Sequence, residues 1–198
     1  MSTSSDPQRH ALVTRIFHGA LATAVILQLV SSTTMEFAYR GHPGNLMAPL
    51  HEYTGMAALA LAVLFWLTVF LRRRGTPLGM LVPWFSARRL RGLWDDIWVH
   101  VEAARQLTLP DHDDHAPLPS AVHGLGLLLI TGLAASGTFW FVLHSLGLGG
   151  NIFVRLVLFL HAGMGVLAWG YFIGHVGLAF LHHVTKHLPL NVMWSLKS

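Results

Sequence analysis

Apolar residues gather in four long runs along the chain. They span roughly Arg15 to Ser32, His51 to Leu71, Ala121 to Leu143 and Ile152 to Leu181. A helix needs about 20 apolar residues to cross a hydrocarbon layer about 30 Å thick. Each run is therefore predicted to form a membrane-spanning helix, and the fourth is long enough to project beyond the hydrocarbon. Arg72, Arg73 and Arg74 end the second run abruptly. Between the second and third runs, over about residues 72–120, the pattern changes. In SARRLRGLWDDIWVHVEAARQL, Leu90, Leu93, Trp94, Ile97, Val101 and Leu107 recur mostly at steps of three and four. Arg88, Arg89, Arg91, Asp95, Asp96, Glu102 and Arg105 fill much of the remainder, which predicts an amphipathic helix bounded by Pro83 and Pro110. Its Arg and Trp suit a helix lying flat among lipid headgroups, and the alternative is packing against the end of the bundle.

Composition agrees with the pattern. Of 198 residues, 53% are hydrophobic and 11% charged, against about 25% charged in an ordinary soluble domain. Cysteine is absent, which excludes disulfides, thiolate zinc sites, iron–sulfur clusters and covalent c-type haem. The net charge of +4 does not indicate nucleic acid, because the basic residues flank apolar runs and form no patch with interleaved aromatics. Placed on the up-down-up-down path, eleven of the thirteen Lys and Arg fall on the side of both termini and the long loop; only Arg40 and Arg155 fall opposite. That bias puts both termini and the 72–120 loop in the cytoplasm and the protein in a bacterial inner membrane. The first run lacks a small-residue cleavage site and carries His18 within it, so it is read as a mature helix rather than a signal peptide. The predicted fold is all-α: one domain over residues 1–198, a four-transmembrane-helix bundle with an additional amphipathic helix on the cytoplasmic side.

Fourteen histidines are many for such a chain, and an ionisable residue in a membrane span marks function by default. His161 and His175 lie fourteen residues apart, nearly four helical turns, so they share a face about 21 Å apart along the axis. His18 near the inner start of the first span matches the depth of His175. His51 at the outer start of the second matches His161. Two pairs at two depths can each clamp one haem iron between imidazoles, giving two non-covalent b-type haems. Glycines in HAGMG, GYFIGHVG and HGLGLLL leave room for a planar macrocycle, or simply let helices pack closely. His182 is a possible replacement for His175, a propionate contact or a solvated interface residue. His123 is a propionate or quinone contact, or a headgroup-level cap. His100, His112, His115, His183 and His187 are read as solvated, DHDDH at 111–115 as an exposed acidic loop, and His42 and His144 as loop residues.

These residues carry a family resemblance. RIFHGAL, MEFAYRG, PLHEYTGM, VHGLGLLL and FLHAGMGVLAWGYFIGHVGLAFLHH are similar to the bacterial cytochrome b561 family and its relatives, the cytochrome b subunits of nickel–iron hydrogenases, formate dehydrogenases and thiosulfate reductases. The resemblance covers roughly residues 9 to 187. It implies that His18 and His175 ligate the cytoplasmic-side haem and His51 and His161 the periplasmic-side haem, with electron transfer usually involving a membrane quinone. The 72–120 loop is longer than in compact b561 members, and PWFSARRLRGLWDD looks closer to the hydrogenase type.

The leading expectation is a di-haem cytochrome b in membrane lipid, transferring electrons across the inner membrane to or from quinone. It would act as a respiratory component or as the cytochrome subunit of a larger complex, with a redox protein partner on one side. A standalone quinone-linked oxidoreductase, superoxide oxidase-like, is the alternative within this class. A histidine-based metal-ion transporter and a haem-free anchor are the other classes. A transporter's ligands should converge near mid-membrane beside acids, whereas these histidines lie near both edges and Glu52 is the one acid within the four runs. Near the inner site the polar candidates for quinone are His123, His182, His183 and Lys186; near the outer site they are Glu52 and Asn45.

Overall fold

The computed structural model describes residues 12–38, 41–71, 76–108 and 116–186. It contains α1 (Leu12–Thr34), α2 (Met47–Leu71), α3 (Leu78–Leu81), α4 (Ala87–Arg105), α5 (Pro117–Ser145) and α6 (Ile152–Lys186), with a 3₁₀ turn over Pro83–Phe85. There is no strand among the described residues. α1, α2, α5 and α6 are each long and apolar enough to cross a membrane. The chain is thus an all-α membrane bundle with the extra amphipathic helix α4. The DHDDH loop and Arg72–Arg74 lie outside the described residues.

The four spans pack in series: α1 on α2, α2 on α5, α5 on α6. Small residues set the close approaches. Ala62 is completely buried with Leu21 and Leu127, backed by Phe65, Trp66 and Ile130. Ala24, Ala58 and Ala134 form a second layer. Small side chains let backbones come close where lipid offers no hydrophobic drive. One polar clamp crosses this interface: Trp66 Nε1 donates to Thr131 Oγ1 at 3.0 Å, and Thr131 passes its own proton to the Leu127 carbonyl. A buried indole N–H without such a partner is costly.

α6 is the longest helix, and its bundle-facing seam is a heptad. Val154, His161, Ala168 and His175 follow at steps of seven, and Val154 and Ala168 are each 2% exposed. Most other large apolar residues of α6 are exposed, as a lipid-facing surface requires. At its start, Asn151 Oδ1 accepts from the Phe153 N–H.

The polar connection holds more structure than its pattern predicts. α3 was not anticipated. Its Leu81 main chain lies on Gly124 of α5, where an added Cβ would sit 1.8 Å from the Leu81 oxygen. Only glycine admits that contact. α4 begins behind Ser86, whose hydroxyl accepts from the Arg89 N–H. It ends at Arg105 rather than running on to Pro110. Leu107 takes a left-handed φ of 53°, while Leu107 and Thr108 return their N–H groups to Ala104 and Ala103, closing the helix as a Schellman turn. One edge of α4 docks on the bundle through buried Leu93, and Trp94 and Trp98 remain exposed. The helix therefore packs against the bundle along one edge, the alternative its pattern allowed. Its Asp96 also repairs a defect elsewhere. α5 starts at Pro117 with no local side-chain cap, and Asp96 Oδ2 accepts the Leu118 N–H at 2.8 Å.

Candidate functional site

His51 stands in the second turn of α2, and His161 in the third turn of α6. Their ring centres are 6.3 Å apart and their planes meet at 89°. A metal bound to two imidazoles through bonds of about 2.0 Å puts the ring centres about 6 Å apart, so the spacing suits one iron between them.

Each ring is held by a serine on a neighbouring helix. Ser31 Oγ of α1 lies 3.0 Å from His51 Nδ1, and Ser136 Oγ of α5 lies 3.0 Å from His161 Nδ1. Both hydroxyls donate their single proton to their own helix, Ser31 to the Leu27 carbonyl and Ser136 to the Leu133 carbonyl. With the hydroxyl protons so placed, each oxygen is left to accept from an imidazole Nδ1–H, the tautomer that keeps on Nε2 the lone pair a metal needs. The Leu133 carbonyl, 3.1 Å from His161 Nδ1, is a second acceptor for that ring. Gly137 flanks it so closely that an added Cβ would lie 3.0 Å from Cε1. Behind His51, the Gln28 amide donates to the His51 carbonyl and to Thr54 Oγ1.

At the other depth, His18 of α1 lies within electrostatic reach of His175 of α6. Two rings frame His175. Tyr171, one turn earlier on α6, stacks on it at 5.4 Å with planes 12° apart, and His123 of α5 meets it edge-on at 5.2 Å and 85°. Tyr171 in turn lies against Gly126, where an added Cβ would be 2.1 Å from Cζ. Thr14 and Arg15, one turn before His18, are buried, and Thr14 Oγ1 has no hydrogen-bond partner among the described residues.

The structure thus brings His51 to His161 at one end of the bundle and, at the other, His123 to His175, with His18 in electrostatic reach of His175. His182 is partly exposed, and its Nδ1 is 3.4 Å from its own-turn Leu178 carbonyl. Beside the α1–α2 loop, Glu52 lines an open cavity of about 410 Å³ with Glu36 and Phe37. Asn45 borders the same cavity but serves as a loop clip. Its side chain accepts from Glu36 N–H and Met47 N–H and donates to the Thr34 carbonyl. His144 stacks on Trp140 at 4.8 Å. Among the described residues no three His, Cys, Asp or Glu side chains converge on one point, the arrangement a bare cation would favour.

Sequence reading missed Ser31, Ser136, Gln28 and Tyr171. Tyr171 carried a signal, because a residue four before a histidine shares its helical face. Gln28 carried another, being an amide inside an apolar run.

Fold and site together define a polytopic membrane bundle with histidines paired across its helices. The chain belongs to the prokaryotic cytochrome b561 family, whose model matches residues 9–195. It is a membrane b-type cytochrome: it binds haem b and takes part in electron transfer. Comparisons with curated proteins and with solved structures gave no match.

Proposed function

We propose that this single-domain protein is a di-haem cytochrome b of the bacterial inner membrane, carrying electrons between its two faces. His51 and His161 would hold the iron of an outer haem, and His18 and His175 that of an inner haem. The observation that carries this reading is the outer pair: two imidazoles 6.3 Å apart at right angles, each with Nδ1 engaged by serine. When bound, haem b supplies a one-electron iron couple. The chain's own residues position it. α6 gives one ligand to each site, Ser31 and Ser136 hold the outer rings in the ligating tautomer, and Tyr171 and His123 brace His175. The buried Thr14 hydroxyl and Arg15 guanidinium offer donors for propionates beside the inner site.

Both termini and the 72–120 loop are assigned to the cytoplasm from the eleven-to-two distribution of basic residues. The inner site is the quinone-facing one. A quinone carbonyl needs a hydrogen-bond donor, and its reduction needs a path for protons to water. His123, in ring contact with His175, and His182, at the interface end of α6, supply both. The open outer face is where a redox protein would dock, in the manner of a respiratory-complex cytochrome subunit. Pyridine haemochrome assay of the purified protein tests the reading. Two non-covalent haems per chain are expected, and a ratio of one or none overturns it.

A further inference from the structure

We propose that Ser31 and Ser136 are positioning residues that set the potential and the electronic signature of the outer haem, with Ser31 the dominant one. The inference rests on the reading of His51 and His161 as that haem's ligands. It concerns what controls them.

Three observations combine. First, each serine spends its only proton on its own helix, Ser31 at 2.6 Å to Leu27 and Ser136 at 3.0 Å to Leu133. What remains for the imidazole is a neutral lone pair. A neutral hydroxyl draws on the Nδ1 proton less than a carboxylate would, so the ring stays a neutral ligand of moderate basicity. Second, the acceptors come from different helices, α1 for His51 and α5 for His161, and the ring planes stand at 89°. Each ring's rotation about its iron bond is set by where its serine sits. The right angle is therefore a product of the bundle's packing, not of the ligands themselves. Third, the two serines are not equivalent. His161 Nδ1 has the Leu133 carbonyl as a second acceptor at 3.1 Å. His51 Nδ1 has Ser31 as its single hydrogen-bond partner among the described residues, and Ser31 is 1% exposed, so water does not replace it. Loss of Ser31 leaves a buried N–H unsatisfied and the ring free to turn.

His175 is braced by a stacked Tyr171 and an edge-on His123. Imidazoles bound at right angles on either side of a low-spin ferric iron would leave its dxz and dyz orbitals, which share the unpaired electron, nearly equal in energy, and that produces a single very large g value. The outer haem should show that signature, and Ser31 should be what maintains it.

The test uses the whole holoprotein and two nearly isosteric substitutions, Ser31→Ala and Ser136→Ala, with the inner haem as internal control. Redox titration and EPR of the ferric state are recorded for each. Ser31→Ala should retain both haems and lower the largest g value of the outer one as the His51 ring turns. The less basic imidazole should also raise the outer potential, changing the reduced-to-oxidised ratio at fixed ambient potential about tenfold, equivalent to 59 mV for one electron. Ser136→Ala should change that ratio less than about threefold, because the Leu133 carbonyl takes over. Unchanged potential and g values in a fully loaded Ser31→Ala protein overturn the positioning role while leaving the ligands in place. An outer haem that persists in His161→Ala overturns the ligand pair instead, so the two failures are read separately.

Discussion

Gly126→Ala tests whether the inner site depends on how α5 and α6 meet. The added methyl would sit 2.1 Å from Tyr171 Cζ, 2.2 Å from its hydroxyl oxygen and 2.5 Å from Cε2. Ordinary contact starts at about 3.4 Å, so the phenol ring must retreat by more than ~1 Å. The ring is rigid and stacks on His175, so the displacement passes to the imidazole. Metal–ligand distances tolerate only about 0.2 Å of error. Disturbing a group that supports a ligand typically costs about 10–100-fold in metal affinity, or about 1.4–2.7 kcal/mol. The assay is haem content and reduced-minus-oxidised difference spectra of purified protein, with graded haem supply. Gly126→Ala should lose the inner haem preferentially and keep the outer one. Adding Tyr171→Leu should recover part of the loss, because the clashing ring is gone. Gly132→Ala is the control: its Cβ would meet Met164 Sδ at 3.5 Å, an ordinary contact, so both haems should remain. If Gly126→Ala binds both haems with wild-type spectra, or if Tyr171→Leu rescues nothing, the tyrosine does not couple α5 to the inner ligand.

Three further outcomes are expected. His161→Ala should remove the outer haem and spare the inner, and His175→Ala the reverse; difference spectra in which either change abolishes both haems in a folded protein would dissolve the independent pairs. Asp96→Ala removes the cap on α5 and should cost about 1 kcal/mol at that helix start, read as faster hydrogen exchange in the first turn of α5, whereas Asp96→Asn keeps an acceptor and should exchange more slowly than Asp96→Ala; equal rates in all three proteins would rule the cap out. Reporter fusions after Ser198 and within the 72–120 loop should behave as cytoplasmic, and periplasmic behaviour of both would exchange the sides of the two haems.

The four spans were legible because a bilayer imposes a length and an apolarity that no local detail can disguise. α4 was legible because its period is 3.6 over five turns. The ends of elements were less so. α5 starts at Pro117 instead of Ala121, since proline is tolerated in a first turn and the acceptor that completes the start, Asp96, sits 22 residues away on another helix. α3 is four residues long and is held by a backbone contact with Gly124, a feature that hydrophobic periodicity does not encode. At the site, histidines announce themselves in an apolar run because burying them needs a reason. Serines do not: Ser31 and Ser136 resemble ordinary small residues that let helices approach. Only the meeting of α1 with α2, and of α5 with α6, aims them at imidazoles. Asn45 erred in the opposite sense. Its polarity beside the outer site suggested ligand chemistry, yet all its side-chain bonds close the α1–α2 loop.

The heptad seam of α6 restricts how this chain can change length. Inserting one residue between His161 and His175 would turn the second imidazole about 100° away from its partner, while the first stayed in place. Inserting seven would restore the face but lengthen the separation from about 21 Å to about 32 Å, the whole thickness of the hydrocarbon. One of the two centres would then stand among the headgroups. Lipid-facing side chains along α6 are free to diverge, but with a haem on each histidine the fourteen-residue interval is not, because the helical repeat sets the step and the bilayer sets the ceiling. Tolerated insertions and deletions should therefore collect in the loops and beyond residue 175, where no partner helix is waiting for a ring.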